Sequence, residues 1–328
     1  MVLLFDFIDR QFIHNNPPAP TASFAGKTAI VTGSSSGLGL EACRLLVHLG
    51  ASKVILACRN VKKAEAAAED IQSSTSCSSD TLEVWHLDNS SYSSVQKFAE
   101  RATTTLSRLD VLIANAGLGT RTFRITEDNE ETVTTNVVSL FLLALLLHPK
   151  LQETARKYDI YTHITVTASE LYEVAKFTEL SAPPGELFAT LNDEKTANMG
   201  DRYNVTKLME IFVIKQMAVL SPLSSSGVIV NCIAPGLCKS ELGREYGDGI
   251  AIRALVKIFC RPTEVGARTL VWGACAEPET HGQYVPDCRT RETKGLTMGA
   301  QGAELQRRIW EELKQKLEGI KPGVTAFA

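Results

Sequence analysis

The feature that most constrains the fold is a glycine-rich turn between a short apolar strand and a helix. The segment KTAIV at 27–31 is β-rich, and TGSSSGLG follows at 32–39. After it, LEACRLLVHLG has apolar residues at helical spacing and ends at Gly50. This order suits the phosphates of a dinucleotide, because the amides at the helix N-terminus face the negative charge. The sequence therefore predicts a dinucleotide site rather than an ordinary Ser/Gly-rich turn.

Three glycines of the turn have different predicted roles. Gly33 allows the sharp turn, Gly37 lets the backbone approach the pyrophosphate, and Gly39 lets the helix pack closely. Their spacing, G-x-x-x-G-x-G, differs from the common G-x-G-x-x-G.

Strands and helices alternate along the rest of the chain, which predicts a doubly wound parallel sheet of the Rossmann-like α/β class. The predicted strands are 27–31, 53–59, 82–88, 109–117, 162–169 and 228–236, and the later predicted helices include 61–72, 93–106, 130–147 and 204–220. We expect one domain at 24–290, an N-terminal extension with a Pro-rich linker at 1–23, and a helical extension at 291–328.

Tyr203 and Lys207 stand four residues apart at the start of an amphipathic helix, so both side chains lie on one helix face. The ammonium stabilises the phenolate, so the pair can exchange a proton with a carbonyl or an alcohol near neutral pH. Surface helices also carry such pairs by chance. The upstream nucleotide-binding turn favours the catalytic interpretation.

The motifs TGSSSGLG at 32–39, NAG at 115–117, YNVTK at 203–207 and PG at 235–236 resemble the motif series of the short-chain dehydrogenase/reductase family in order and spacing. The resemblance spans most of the chain. The ACRN after the second strand and the long gap before YNVTK look like the NADP-preferring branch that includes retinol-dehydrogenase-like enzymes. The C-terminal pattern HGQYV…IWEEL is similar to fungal natural-product reductases.

The resemblance implies hydride transfer between a nicotinamide and a carbonyl or alcohol carbon. Tyr203 would exchange the proton, Ser169 would hold the substrate oxygen, Lys207 would also bind the nicotinamide ribose, and Asn136 would relay protons. The Ser169 assignment rests on alignment with the family, since Thr165 and Thr167 are nearby hydroxyls. The implied cofactor-binding residues are Gly33, Ser35, Ser36, Gly37, Leu38, Gly39, Arg59, Asp88, Asn115, Ala116, Gly117, Tyr203, Lys207, Pro235, Gly236 and Ser240.

Cofactor preference is read at the end of the second strand. An Asp there would bind the ribose hydroxyls of NAD, whereas Arg accommodates the 2′-phosphate of NADP. Arg59 holds this position, and Lys62 and Lys63 lie just beyond it. A merely solvent-exposed arginine is the alternative, but within this motif series we expect NADP(H).

Two polar residues have open structural alternatives. By resemblance, Asp88 would contact the edge of the adenine ring. Alternatively it is the N-cap of the following helix, a position for which residues 89–91 also compete. Asn136 either faces solvent or is linked to Lys207 through water.

Two segments are expected to shape the substrate pocket. One is the polar insertion between Ser169 and Tyr203, and the other is the variable loop at about 237–262. In that loop Ser240 keeps a hydroxyl where the family often has Thr. The apolar residues of that loop are Leu242, Tyr246, Ile250 and Phe259. They predict either a roomy pocket for a polyketide- or terpenoid-like carbonyl compound or ordinary helix packing.

Composition limits the partners. Across 328 residues the net charge is −3, which gives no argument for a nucleic-acid surface, and a small-molecule substrate is expected. The eight cysteines include no C-x-x-C pair, so no metal site or disulfide framework is predicted, and a reducing compartment such as the cytoplasm is favoured.

No integral membrane segment is predicted. The apolar run at 139–149 is too short to span a bilayer, and charged residues interrupt the apolar N-terminus. That N-terminus is expected to form an amphipathic helix on the body of the protein, with a membrane contact or a pocket lid as alternatives. The apolar helices at 130–147 and 204–220 suit either a homodimer face or the core.

Two other functional classes stay open. The same scaffold supports non-redox cyclisation, isomerisation or dehydration, because proton transfer by Tyr203 serves either chemistry. A non-catalytic nucleotide sensor is disfavoured, since such proteins usually lose the catalytic residues that are present here.

Overall fold

The computed structural model describes residues 16–239 and 260–326. The strands in this part of the chain are β1 Thr28–Thr32, β2 Lys53–Cys58, β3 Leu82–His86, β4 Val111–Ala114, β5 Ile125–Thr126, β6 Asn129–Glu130, β7 Thr162–Thr167, β8 Val228–Ala234 and β9 Tyr284–Pro286. The α-helices are α1 Gly37–His48, α2 Val61–Thr75, α3 Tyr92–Thr105, α4 Glu131–Tyr158, α5 Leu187–Leu191, α6 Arg202–Leu220, α7 Leu223–Ser226, α8 Thr263–Gly273 and α9 Gly299–Ile320.

Seven strands form one sheet in the order β3-β2-β1-β4-β7-β8-β9, and every neighbouring pair is parallel. The strand order reverses between β1 and β4, and a crevice opens there at the carboxyl ends of the strands. The predicted doubly wound parallel sheet is therefore confirmed.

Five of the six predicted strands end one to three residues earlier than predicted. β2 ends at Cys58, β3 at His86, β7 at Thr167 and β8 at Ala234. The predicted site residues that follow these strands therefore lie in loops at the carboxyl edge of the sheet, where the backbone is no longer fixed by strand pairing.

Two apolar cores cover the two faces of the sheet, because side chains alternate along each strand. In β1, Ile30 belongs to the first core, while Ala29 and Val31 belong to the second. The first core packs the sheet against α3, α4, α6 and α9, and the second packs it against α1, α2 and α8. Trp85 and Trp310 lie in the first core, whereas Trp272 packs against the second.

Helix α4 is longer than the predicted 130–147. It runs to Tyr158 through Pro149, and residues Thr134–Val138 within it form a π-helical segment. Proline normally ends a helix, but the turns on both sides of Pro149 are buried, including His148 and Leu151. Tertiary packing therefore overrides the local signal.

In length and composition α4 also meets the requirement for crossing a membrane, contrary to the sequence estimate that this run is too short. However, 89% of its apolar window is buried inside the fold. Packing in the first core accounts for those apolar side chains. The buried faces of α4 and α6 likewise belong to the core of a single chain, and the homodimer stays a prediction.

Strand β9 and the small β5–β6 hairpin are absent from the predicted elements. β9 has three residues, which is too short for a periodic pattern, and it forms by pairing Tyr284 with Cys232 of β8. The hairpin has two residues on each strand. Long-range pairing rather than local sequence forms these strands.

The insertion before α6 is fixed to the body by buried charges. Arg202 and Glu130 have no exposed surface, and Nη1 of Arg202 lies 3.3 Å from Oε1 of Glu179. Arg202 also donates to the carbonyl of Leu191 at 2.9 Å. Helix α9 holds the same region from outside, because Glu312 accepts the amide of Leu187 at 2.8 Å.

Candidate active site

The turn after β1 has the geometry that a dinucleotide phosphate needs. Gly33 and Gly37 have φ of +65° and +61°, a region that favours glycine. A Cβ on Gly39 would lie 2.5 Å from the carbonyl oxygen of Gly33, so α1 packs directly on the turn. A Cβ on Gly37 would meet nothing within 4 Å, so the backbone there faces open space.

A groove of about 620 Å³ runs along the carboxyl ends of β1 to β4. Ten of the predicted cofactor residues line it: Gly33, Ser35, Ser36, Gly37, Leu38, Arg59, Asp88, Asn115, Ala116 and Gly117. Gly39 lies beneath the turn rather than on the groove. Lining residues that the sequence analysis did not single out include Asn60, Thr120, Arg124, Glu131 and Thr135.

Arg59, Lys63 and Arg124 bring positive charge to the groove, and Arg124 is paired with Glu131 at 3.6 Å. Arg59 is exposed directly after β2, and Lys63 lies in the first turn of α2. The side chain of Asn60 caps this helix by accepting the amide of Lys63 at 3.0 Å. Lys62 is exposed and does not line the groove.

Asp88 does not cap α3, so that alternative was wrong. Its carboxylate accepts the amide of Ser90 at 3.0 Å and the hydroxyl of Ser90 at 2.7 Å, which forms a tight turn after β3. The N-cap residue of α3 is Ser91. Asp88 therefore remains on the groove wall.

Thr32 was missed by the sequence analysis, although it begins the glycine-rich motif. Its hydroxyl accepts the amides of Asn115 and Ala116 at 3.0 Å and 2.9 Å. The Asn115 amide group donates in turn to the Thr32 carbonyl at 3.0 Å. These bonds join the turn after β4 to the glycine-rich turn and fix the floor of the groove.

Tyr203 and Lys207 lie on one face of α6, as predicted. The ammonium of Lys207 is 5.5 Å from the centre of the Tyr203 ring and donates to the Thr167 carbonyl at 2.8 Å. It also donates to Oε1 and Oε2 of Glu210 at 2.8 Å and 3.1 Å. These bonds tie α6 to the carboxyl end of β7.

Glu210 is a second residue that the sequence analysis missed, and it has no exposed surface. Burial raises the pKa of its carboxyl to about 7, although the Lys207 ammonium lowers it. Burial also lowers the pKa of Lys207, but Glu210 and Tyr203 more than offset this and hold that pKa above its usual value. Opposite charges three residues apart on an apolar helix are the sequence signal that was available.

Asn136 is fully buried in the π-helical segment, so the solvent-facing alternative was wrong. Its side chain accepts the amide of Leu118 at 2.9 Å and donates to the Leu118 carbonyl at 2.9 Å. It also donates to the hydroxyl of Thr206 at 3.1 Å. A Cβ on Gly117 would lie 3.3 Å from Oδ1 of Asn136 and 3.8 Å from Nζ of Lys207. The groove floor and the Tyr203–Lys207 pair therefore meet at Gly117.

Ser169 is partly buried just past the end of β7, and its hydroxyl accepts the amide of Leu171 at 3.2 Å. Thr165 and Thr167, the neighbouring hydroxyls, are buried within the strand. Ser169 is therefore the most accessible hydroxyl of the three.

Arg261 anchors the loop after β8. Gly236 has φ of +73°, and the carbonyl of Pro235 accepts Nη1 of Arg261 at 3.2 Å. Arg261 is buried and also pairs with Asp287 at 2.5 Å. Ser240 and the apolar loop residues Leu242, Tyr246, Ile250 and Phe259 lie outside the described residues.

The residues present fit a dinucleotide. The open space at Gly37, the helix N-terminus behind it and the cationic side chains beside the groove match the phosphates of a dinucleotide. Among residues 16–239 and 260–326, no group of three or more His, Cys, Asp or Glu side chains has the arrangement to hold a metal ion.

Comparison with known proteins gives the same picture. Residues 27–169 match the family described as short chain dehydrogenase. The short chain dehydrogenase/reductase dmxR8 of Cryptosporiopsis sp. (strain 8999) is 44% identical over 311 residues, which cover 94% of this chain and 96% of that protein.

Solved structures share the fold at low identity. The Pseudomonas aeruginosa RhlG/NADP active-site complex has a TM-score of 0.61 at 22% identity and covers 82% of this chain and 97% of its own. The 3-ketoacyl-(acyl-carrier-protein) reductase from Brucella melitensis complexed with NADH has a TM-score of 0.57 at 21% identity, with coverage of 80% and 97%. With this fold and a relative 44% identical along nearly its whole length, the chain belongs to the short-chain dehydrogenase/reductase family.

Proposed function

We propose that the protein is an NADP(H)-dependent oxidoreductase that interconverts a carbonyl group and an alcohol, with Tyr203 as the proton donor and acceptor. The observation that carries the proposal is the meeting point at Gly117. Gly117 lines the nucleotide-sized groove, and a Cβ added to it would lie 3.8 Å from the Lys207 ammonium, one helical turn from Tyr203.

The chain's own residues account for binding and proton transfer. When bound, NADPH supplies the hydride, which is chemistry that no side chain provides. Tyr203 gives a proton to the substrate oxygen during reduction and takes one back during oxidation. The Lys207 ammonium stabilises the resulting phenolate, and the Ser169 hydroxyl donates to the substrate oxygen. Asn136 orders the turn at Leu118 and the start of α6 through Thr206.

An apolar substrate is supported by exposed side chains that follow Ser169 and Gly236 in the chain. Leu171 and Val174, in the short helix directly after Ser169, are 48% and 50% exposed, and Leu237 after Gly236 is 44% exposed. Large apolar side chains with so much exposed surface suit a bulky polyketide- or terpenoid-like carbonyl compound. A panel of ketones of graded size tests this, and turnover of small polar ketones alone would refute it.

Cofactor preference is tested by replacing Arg59 with Ala. We expect NADPH affinity to fall about 10- to 100-fold, because a charge-assisted bond to the 2′-phosphate is lost, while NADH affinity changes little. Lys62→Ala is the matched control, since it removes a neighbouring positive charge that does not line the groove. Fluorescence titration with both nucleotides measures the effect, and an equal loss for both would contradict the NADP assignment.

Proton transfer is tested by Tyr203→Phe. We expect kcat to fall at least about 100-fold while NADPH affinity stays near that of the wild type, because only the hydroxyl is removed. Stopped-flow oxidation of NADPH in the presence of a ketone measures kcat. Unchanged turnover would overturn the role of Tyr203, and product formation without NADPH consumption would favour the non-redox alternative.

A further inference from the structure

A third, fully buried residue contacts the pair that is proposed for proton transfer. Glu210 follows Lys207 by three residues on α6, and both of its carboxylate oxygens accept from the ammonium, at 2.8 Å and 3.1 Å. The relative exposure of Glu210 is 0% and that of Lys207 is 4%. A charged residue is costly to bury unless it is paired, and here the carboxylate and the Lys207 ammonium pair with each other.

The charged and titratable groups around Glu210 are few in the described part of the chain. Lys207, Tyr203 and Lys215 lie on the same helix, and Cys232 faces them from β8. Burial raises the pKa of Cys232, so this thiol stays neutral. The Lys207 ammonium therefore has one carboxylate in direct contact and the centre of the Tyr203 ring 5.5 Å away.

We propose that Glu210 is a positioning residue for proton transfer: its carboxylate holds the Lys207 ammonium against β7 and offsets part of the positive charge that Tyr203 experiences. This inference rests on the proposed function of Tyr203 and Lys207. The ammonium has three acceptor atoms within 3.1 Å, so its position is fixed before any ligand arrives. The negative charge in contact with it weakens the field that favours the Tyr203 phenolate.

The consequence is that Tyr203 ionises at a higher pH than it would beside an unopposed ammonium. In Glu210→Gln an amide oxygen of nearly the same shape still accepts from Lys207, but the negative charge is gone. We expect the ionisation of Tyr203 to move to lower pH by about one unit, the size of shift that one neighbouring charge produces in a partly screened site. The rate of alcohol oxidation below that ionisation then rises up to about tenfold.

The first readout needs no substrate and no cofactor. Tyrosinate absorbance is followed during alkaline titration of wild type, Glu210→Gln and Glu210→Asp, and the same titration of each protein carrying Tyr203→Phe is subtracted. The difference isolates Tyr203 from the other six of the seven tyrosines. We expect the downward shift in Glu210→Gln and a return towards wild type in Glu210→Asp, which restores the charge.

Glu312→Gln is the matched control, because it removes a buried, ion-paired carboxylate far along the sequence on α9. If the ionisation of Tyr203 shifts as much in Glu312→Gln as in Glu210→Gln, the shift comes from a general loss of packing, and the proposal is overturned. An unchanged or raised ionisation pH in Glu210→Gln would overturn it as well. If Tyr203 shifts as expected but no ketone is reduced by the wild type, the proposed function fails while the coupling to Glu210 stands.

The second readout is the pH profile of turnover. Because Glu210 gains a proton below about pH 7, the rates of wild type and Glu210→Gln should converge below that pH. They should differ between that pH and the ionisation of Tyr203, and converge again once Tyr203 is ionised in both proteins. A difference that is constant across the pH range would contradict the proposal.

Discussion

At the scale of single residues, Gly39 leaves the least room for a side chain among the three glycines of the turn. A Cβ at this position would lie 2.5 Å from the carbonyl oxygen of Gly33 and 2.8 Å from Nδ2 of Asn115. The Gly33 oxygen belongs to the backbone, and Nδ2 of Asn115 is held by hydrogen bonds to the carbonyls of Thr32 and Gly33. Neither atom can move without disturbing the turn. The contact therefore links helix packing directly to nucleotide affinity.

Replacement of Gly39 with Ala should destabilise the protein by about 1–3 kcal/mol, because the extra methyl overpacks the turn, and should weaken NADPH binding with it. Gly319→Ala is the matched control. It lies in helix α9, where a Cβ would meet nothing within 4 Å, so alanine should stabilise the protein by about 0.5–1 kcal/mol. Urea denaturation and NADPH titration of both variants check the contrast, and equal effects would contradict it.

At the scale of elements, local sequence patterns predicted the strands and helices that are long and periodic. β1, α1, β2 and α2 follow the expected order, and the glycine motif marks the turn between the first two. The parallel sheet follows from that alternation, since parallel strands need helical crossovers. Ten of the predicted cofactor residues lie on one groove, because they follow the carboxyl ends of strands or stand at the start of α1.

Elements formed by distant contacts could not be predicted in this way. β9 exists because β8 offers it a partner, and α4 passes through Pro149 because both flanking turns are buried. The π-helical segment that buries Asn136 has no sequence signature of its own. Glu210 was missed for a related reason, since a glutamate in a helix is usually solvated, and only the fold shows that this one is enclosed.

At the scale of the whole molecule, buried histidines link folding to pH. His163 on β7 is 6% exposed, and one of its ring nitrogens donates to the carbonyl of Ala276 at 2.9 Å. Burial lowers the pKa of His163 from 6.5 to about 4, against a smaller opposing effect of that hydrogen bond. Burial likewise lowers the pKa of His148 to about 4.

A histidine that is neutral when folded binds its proton more readily when unfolded, so stability rises with pH across this window. The contribution of His163 is fully present above pH 6.5 and is lost as the pH falls towards about 4. It amounts to about 3 kcal/mol. In His163→Gln, whose amide can still donate to Ala276, we expect a flatter decline in unfolding free energy over this range.

Urea denaturation at a series of pH values measures the slope. His86→Gln is the control, because this histidine is exposed at the end of β3. A decline as steep in His163→Gln as in the wild type would show that other groups control acid stability.

The two cores on opposite faces of the sheet contain different tryptophans, so tryptophan fluorescence can report on each face separately. The chain has three tryptophans, and their emission depends on their immediate surroundings. Trp310 and Trp85 are enclosed on the face that holds α6, whereas Trp272 lies on the face that covers the glycine-rich turn. Variants that retain a single tryptophan would therefore assign a fluorescence change to one side of the sheet. Tryptophan fluorescence can thus distinguish local unfolding around the helix that carries Tyr203 and Lys207 from local unfolding around the glycine-rich turn.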